Sequence, residues 1–373
     1  MAPRAARPSP TTPRDAAPHP DSRRGRGAIT NRSGRFEKES RVLGDNAFDY
    51  HQPEDEPDPL RTTVAIDTTR TIIARNDSPD IPFDQSINPY RGCEHGCIYC
   101  FARPTHAYLG LSPGLDFESR LFAKPNAATL VAQELRAPGY RCRLIALGTN
   151  TDPYQPIEKR MRITREILQV LLAFRHPVGI VTKSALITRD IDVLAALAEL
   201  RLVRVAISVT TLDAALARRM EPRAATPLRR LGAIRALAAA GVPVGVMVAP
   251  VIPSLNDHEI ERILAAASEA GARGAAYVLL RLPHEIKDLF QEWLQEQVPD
   301  RAQRVLRHIR EARGGRLNDP TFGRRMRGQG PYADLIAQRF RQASANLGFG
   351  SLAQPRHDLF LPPPASGDQL PLL

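Results

Sequence analysis

From about residue 85 the chain alternates short apolar runs with longer stretches whose apolar residues recur at helical spacing. The runs at 86–89, 144–147, 178–183, 203–210, 243–249 and 275–280 read as strands. Helical patterns fill 127–135, 164–174, 191–200, 213–220, 227–240 and 257–270, with Thr164 as a cap and Gly241 as a terminating glycine. Six short, apolar strands separated by helices imply parallel pairing with right-handed crossovers. An open Rossmann-type sheet and a barrel share this local pattern. No G-x-G-x-x-G opens a helix and no G-x-x-x-x-G-K-[ST] occurs.

The pattern differs on either side. Residues 61–84 form a small β-extension. There Thr63-Val64-Ala65-Ile66 and Thr71-Ile72-Ile73-Ala74 read as a hairpin turned at 67–70. Residues 282–348 read as an Arg-rich helical extension, with amphipathic helices at 285–297, 301–313 and 332–347. Gly323–Gly330 forms a cationic loop within it, suited to an anionic ligand. Residues 1–60 and 349–373 lack apolar periodicity and read as largely disordered tails, the first basic and Pro-rich. Arg32 to Glu39 is placed to dock on the main domain.

The chain has 373 residues, 43% of them hydrophobic, which supports one large domain with appendages. No apolar run reaches the length of a membrane span. The N-terminus has arginines and prolines but no apolar core of a secretory signal. With few cysteines, this points to the cytoplasm. The net charge is +11, and the lysines are only Lys38, Lys124, Lys159, Lys183 and Lys287. A balance carried by arginine permits a nucleic-acid partner without establishing one. Arg23-Arg24-Gly25-Arg26-Gly27 and Arg324-Arg325-Met326-Arg327 are the spots that would meet phosphates.

Within the first unit after 85 stands Cys93-Glu94-His95-Gly96-Cys97-Ile98-Tyr99-Cys100. Gly92 and Gly96 let the backbone curl so that three sulfurs face one spot. Three thiolates in one loop suit an iron–sulfur cluster in which one iron keeps an open position. A zinc site is the competing reading, with His95, His106 or Cys142 as fourth ligand. Structural zinc sites usually pair two ligand hairpins, and no second hairpin follows. Disulfides fit poorly, since nothing suggests export.

Polar residues gather at the predicted C-terminal strand ends: Thr149 to Asp152, Lys183 with Ser184, and Ser208 with Thr210. A surface loop explains some of them. It explains less well a lysine in a chain that nearly always uses arginine.

The cysteine spacing, with an aromatic before the third thiol, resembles the radical S-adenosylmethionine (SAM) superfamily. Further stretches resemble its subgroup related to spore photoproduct lyase. They are Asn88–Cys93, Thr149–Glu158, Val181–Ser184, Ser208–Thr211, Glu221–Arg223 and Pro250–Asp257. The resemblance covers roughly 60–345 and decides for a partial (βα)6 TIM-type barrel over 85–281. It implies a [4Fe–4S] cluster on Cys93, Cys97 and Cys100, with SAM chelating the open iron. It implies reductive cleavage of SAM to a 5′-deoxyadenosyl radical and an electron donor of the flavodoxin or ferredoxin type. The Tyr99 backbone would meet the adenine, with Val248 and Ala249 as its wall. Thr149, Asn150, Lys183 and Ser208 take the remaining SAM positions. The lyases place a hydrogen-donating cysteine at the second strand end. Here that end reads Leu147-Gly148-Thr149-Asn150, and Cys142 reads as a small core residue at the strand's other end. The substrate stays unassigned. Nucleic-acid repair or modification, and a non-catalytic cluster protein that binds nucleic acid, are the alternatives.

Overall fold

The computed structural model describes residues 23–37 and 59–364. In chain order the strands are β1 (Thr63–Ile66), β2 (Ile73–Arg75), β3 (Gln85–Ile87), β4 (Tyr90–Arg91), β5 (Arg120–Ala123), β6 (Ile145–Leu147), β7 (Val178–Thr182), β8 (Val203–Ser208), β9 (Val244–Val251) and β10 (Gly274–Leu279). The helices are α1 (Asp116–Ser119), α2 (Ala127–Arg136), α3 (Glu158–Met161), α4 (Ile163–Ala173), α5 (Ile191–Glu199), α6 (Ala214–Met220), α7 (Pro227–Ala239), α8 (Ile260–Glu269), α9 (Ile286–Gln297), α10 (Pro299–Glu311) and α11 (Pro331–Asn346).

Strands β3, β6, β7, β8, β9 and β10 run parallel in that order, and β2 lies antiparallel beside β3. Helices α2, α4, α5, α7 and α8 pack in sequence round the sheet, and α11 covers β10. This is the expected partial (βα)6 barrel. Its strands are short because both faces are covered: all of β6 is buried, and Val203, Val205 and Ile207 of β8 face one core.

The expected hairpin over 63–74 does not form. β1 pairs in parallel with β5, which also pairs with β4, while β2 pairs with β3. The chain diverges because its backbone is claimed from two sides. Asp67 N donates to Ala123 O at 2.8 Å, and the Glu134 carboxylate on α2 accepts from Ile72 N at 2.5 Å and Ile73 N at 3.3 Å. The predicted cap at Thr164 is also displaced. Arg162 precedes α4 in a left-handed conformation, and the Thr164 hydroxyl donates to Pro153 O at 2.5 Å.

Neither expected tail is free where it is described. Residues 23–37 dock on the domain, and Ala28 and Thr30 are buried. Arg23 pairs with Glu296 at 3.0 Å and Arg35 with Glu285 at 2.7 Å, both on or beside α9. Arg26 donates to Glu118 O and Leu60 O, each at 2.7 Å. Arg23 and Arg26 are therefore engaged inside the protein rather than presented to phosphates. Residues 1–22 and 38–58 lie outside the described residues.

At the other end, 350–364 forms a strap across the N-terminal ends of the strands. Gly350 bridges Gly274, Arg356 N donates to Arg201 O at 2.9 Å, and Leu361 N donates to Phe174 O at 3.1 Å. Phe360 lies edge-on to His176, ring centroids 5.4 Å apart. Residues 365–373 lie outside the described residues. Cys142 sits on this floor, partly exposed rather than in the core, and burial still pushes its thiol up to about 12.

The cationic loop closes the barrel's open side. Leu279 N donates to Met326 O at 2.9 Å, and Arg313 donates to the carbonyls of Leu279, Leu280, Arg324 and Arg325. Arg325 reaches Asp80, in the β2–β3 connection, at 2.5 Å. The loop thus joins the two edges of the sheet. No helix among the described residues is long and apolar enough to cross a membrane.

His176 reports on the floor. Burial lowers its pKa from 6.5 to about 4 while Nδ1 faces Pro177 O and Nε2 the Tyr140 hydroxyl. The unfolded chain therefore takes up a proton that the folded chain refuses between those values, so stability is lost as pH falls from 6.5 to about 4. Phe360→Ala, which opens the floor to water, is expected to flatten this part of the slope. Denaturant midpoints measured across that pH range check it; a slope unchanged in the variant would show that the strap does not bury His176.

Candidate functional site

The cysteine loop leaves β4 and is built by hydrogen bonds more than by packing. Gly92 has φ +75°, and a Cβ there would lie 2.8 Å from Phe117 O. Gly92 O accepts from the Thr151 hydroxyl at 2.9 Å and the Gln155 amide at 3.2 Å, while Gln155 Oε1 accepts from Glu94 N at 2.9 Å. Ile98 N donates to Met220 O at 3.0 Å, and Arg223 N donates to His95 O at 3.3 Å.

Arg103, fully buried, closes the loop. Its Nε donates to Cys97 O at 2.9 Å, one terminal nitrogen to Gly114 O at 2.9 Å and Pro113 O at 3.1 Å, and the other to Gly96 O at 3.1 Å and to Glu118. Glu118 in turn accepts from Gly27 N and Ala28 N, both at 2.8 Å. Only glycine fits at 27, because a Cβ would come within 1.7 Å of Gly96 O.

All three thiols are free, and they lie close enough to act on one another electrostatically. Burial raises each above the ordinary thiol range. Opposing this, Lys183 acts on Cys97, and Arg103 and Lys183 act on Cys100. Among the described residues no three His, Cys, Asp or Glu side chains are gathered tightly enough for a single ion. A four-iron cluster takes one thiolate per iron and needs no such convergence. The fourth zinc ligands that the spacing allowed are engaged or distant. His106 Nε2 lies 2.9 Å from Arg120 O, His95 Nδ1 lies 3.4 Å from Asp152, and Cys142 is on the floor.

The C-terminal strand ends surround this loop. Asn88 accepts from Asn150 N at 3.0 Å and exchanges bonds with the Thr149 hydroxyl at 3.3 to 3.4 Å. Asp152 accepts from Lys183 N at 2.8 Å and the Thr182 hydroxyl at 2.7 Å. Its burial pushes the carboxyl up, but His95 and these donors outweigh it and hold the pKa down at about 2. The Lys183 ammonium stands 5.7 Å over the Tyr99 ring and has no carboxylate partner among the described residues. The Tyr99 hydroxyl bonds Glu221 and lies 3.3 Å from Thr210. Glu221 pairs with buried Arg230, which also donates to Ser208 O at 3.1 Å. Val248 is buried and Ala249 half-buried on β9, and Asn256 ties Thr210 O and Pro250 O together at 2.7 and 3.0 Å.

Cys93, Cys97, Cys100, Tyr99 and Lys183 thus meet in one region, with Thr149, Asn150, Ser208, Val248 and Ala249 on the strand ends around it. Arg103, Glu118 and Arg230 build the site without any sequence signal for them; Glu221 and His95 were singled out, but not as the partners of Tyr99 and Asp152. Nothing in local spacing pairs Arg103 with Glu118, fifteen residues away, or Glu118 with residue 27.

Residues 87–267 match the model of the Radical SAM superfamily. A protein of Mycobacterium tuberculosis H37Rv, itself uncharacterised, is 41% identical over 222 residues, 59% of this chain and 65% of the relative. One of Methanocaldococcus jannaschii is 28% identical over 173 residues, 46% of this chain and 62% of the relative. The chain therefore spans under two thirds of the length of these relatives. Among solved structures, spore photoproduct lyase complexed with dinucleoside spore photoproduct aligns with TM-score 0.56 at 14% identity, over 76% of this chain and 78% of that one. A variant of that lyase with bound AdoMet and the dinucleoside aligns with TM-score 0.54 at 14% identity, with the same coverage. Likeness at that identity is one of fold. The family match spans the cysteine loop and strands β6 to β9, so residues 87–267 are a radical SAM domain, within a chain whose fold is like that of spore photoproduct lyase.

Proposed function

We propose that the chain is a radical SAM enzyme in which Cys93, Cys97 and Cys100 hold a [4Fe–4S] cluster and the strand ends hold SAM. Held there, the cluster would supply, from a donor of the flavodoxin or ferredoxin type, the electron for reductive cleavage of SAM and so for hydrogen-atom removal from a substrate. The observation that carries the reading is Lys183. It is a half-buried cation with no carboxylate partner among the described residues, placed over Tyr99 and close enough to Cys97 and Cys100 to act on both.

The residues divide the binding work by charge. Lys183 meets the SAM carboxylate, because an ammonium buried without a partner favours an incoming anion. Its backbone is fixed by Asp152, so the side chain leaves β7 in a set direction. Asn88 orients Thr149 and Asn150 and leaves the Asn150 carboxamide unbonded among the described residues, free to meet the amino acid or ribose. Val248 and Ala249, with the Tyr99 backbone, form the apolar wall for adenine. Glu221 and Arg230 hold the Tyr99 ring from below. For lyase activity on a nucleic acid the second strand end lacks the thiol, and Arg23, Arg26 and Arg325 are engaged within the protein, while Arg24, Arg324 and Arg327 stay exposed.

After anaerobic reconstitution the protein is expected to absorb broadly near 400 nm, as iron–sulfur proteins do at about that wavelength. Cys93→Ala, Cys97→Ala or Cys100→Ala should each abolish the band, and Cys142→Ala should leave it. Stoichiometric zinc without iron after anaerobic purification would overturn the assignment. Dithionite with SAM should then yield 5′-deoxyadenosine.

Lys183→Ala is expected to weaken SAM binding by roughly 1.5–3 kcal/mol, the range for a charge-assisted hydrogen bond, with the 400 nm band unchanged. Calorimetric titration of SAM checks this, and an unaltered affinity would remove Lys183 from the site.

A further inference from the structure

At the C-terminal end of the sixth parallel strand, beside the cysteine loop, one guanidinium has no ion-pair partner among the described residues. Arg281 follows β10 by two residues. Its guanidinium carbon lies 5.6 Å over the ring of Phe101, the residue directly after Cys100, and that ring is 50% exposed. Among the described residues the only hydrogen bond of the Arg281 side chain runs from a terminal nitrogen to Met326 Sδ at 3.5 Å, a weak acceptor. Its Nε is buried with no partner. No carboxylate lies within ion-pair distance among the described residues.

The surroundings deepen the imbalance. Asp80 is the acid near enough to act on Arg281, and it is already engaged by Arg325 Nε at 2.5 Å and Gly323 N at 2.7 Å. Arg325 stands close enough to repel Arg281, and so does Arg281 toward Arg313. Arg313 is committed to four carbonyls of β10 and the closing loop. Three guanidinium groups therefore stand near two carboxylates, Asp80 and Asp319, and the Arg281 fork is the least engaged of the three. Burial lowers its pKa, which is the mark of a charge held away from water without compensation. A planar fork of donors beside an exposed ring suits a planar or tetrahedral oxyanion.

We propose that Arg281 and Phe101 form a subsite for an oxyanion group of the substrate, a carboxylate or a phosphate, on the side of the mouth away from Lys183. The assignment rests on the reading of this mouth as the place where SAM and substrate meet. It adds the substrate's chemical class: a molecule with an acidic group set apart from the hydrogen that is removed. The charge balance gives this subsite a purpose distinct from Lys183, which is taken up by SAM itself.

The test uses the reconstituted full chain with saturating SAM and titrates inorganic phosphate in one arm and malonate in the other, by calorimetry at low ionic strength. One equivalent of one of the two anions is expected to bind, and the arm that responds identifies the group. Arg281→Ala should weaken that binding about tenfold or more, the loss of one charge-assisted hydrogen bond. Arg281→Lys should recover part of it, and Arg235→Ala, exposed on α7, should change nothing. The 400 nm band and SAM affinity of Arg281→Ala should match the parent, which shows that the variant is folded. Anion binding that is absent from the parent, or equal in the parent and Arg281→Ala, would overturn the subsite. Failure of SAM to bind the parent would instead count against the enzyme reading, and the anion arms can be read without SAM in that case.

Discussion

A single buried ion pair sets the shape of the reactive end of this protein. The Arg103 guanidinium has five donors to satisfy and no water around it, so it binds four carbonyls and the Glu118 carboxylate at once. Two of those carbonyls belong to Gly96 and Cys97, within the thiol loop. The remaining lone pairs of Glu118 take the amides of residues 27 and 28. Removing one partner from such a pair strands a charge in a dry interior, typically at about 3–5 kcal/mol. The loop that carries the thiols, the turn around 113–118 and the docked N-terminal segment therefore hold one another.

Charge at the mouth is arranged in two layers. Nearest the strands, Asp152 and Glu221 are each matched, the first by His95 with hydrogen-bond donors and the second by Arg230. Their work is to orient: Asp152 fixes the Lys183 backbone, and Glu221 fixes the Tyr99 ring. Above them stand cations with no carboxylate paired to them among the described residues, Lys183 on one side and Arg281 on the other. A protein that leaves half-buried cations unpaired while pairing every nearby acid presents a site for molecules that bring their own negative charge.

The repeated alternation of strand and helix was legible because short parallel strands are apolar throughout and helices carry a 3.6-residue period. Every strand from β3 to β10 that joins the barrel lies within a residue or two of its expected place. The thiols and Lys183 were legible too, as chemistry bearing on one loop and one strand end. What failed depends on partners distant in sequence. The segments 63–66 and 71–74 have the composition of a hairpin, but Glu134 and Ala123 claim their backbone groups. Residues 23–31 look like a solvated tail until Glu118, Glu292 and Glu296 are seen to lie opposite the amides of 27 and 28, the Thr30 hydroxyl and Arg23, whereas docking was expected from Arg32 onward. Low apolar content foretold the lack of a core there. It did not forbid docking by charge-assisted hydrogen bonds.

Arg23 and Glu296 are 273 positions apart, and Gly27 reaches Glu118 across 91. Residues 26–28 can meet Glu118 early, but the segment completes its seat only after α9 has emerged from the ribosome. Closing so long a loop is entropically mild, because the penalty grows only with the logarithm of length, about 0.6 kcal/mol per doubling. The order of events matters more. While the nascent barrel waits for α9, the thiol loop has Arg103 and Glu118 but not yet its complete outer wrapping, and the three sulfurs are at their most accessible. Whatever group these thiols take up enters most easily in that interval, before the last ion pairs close over the loop.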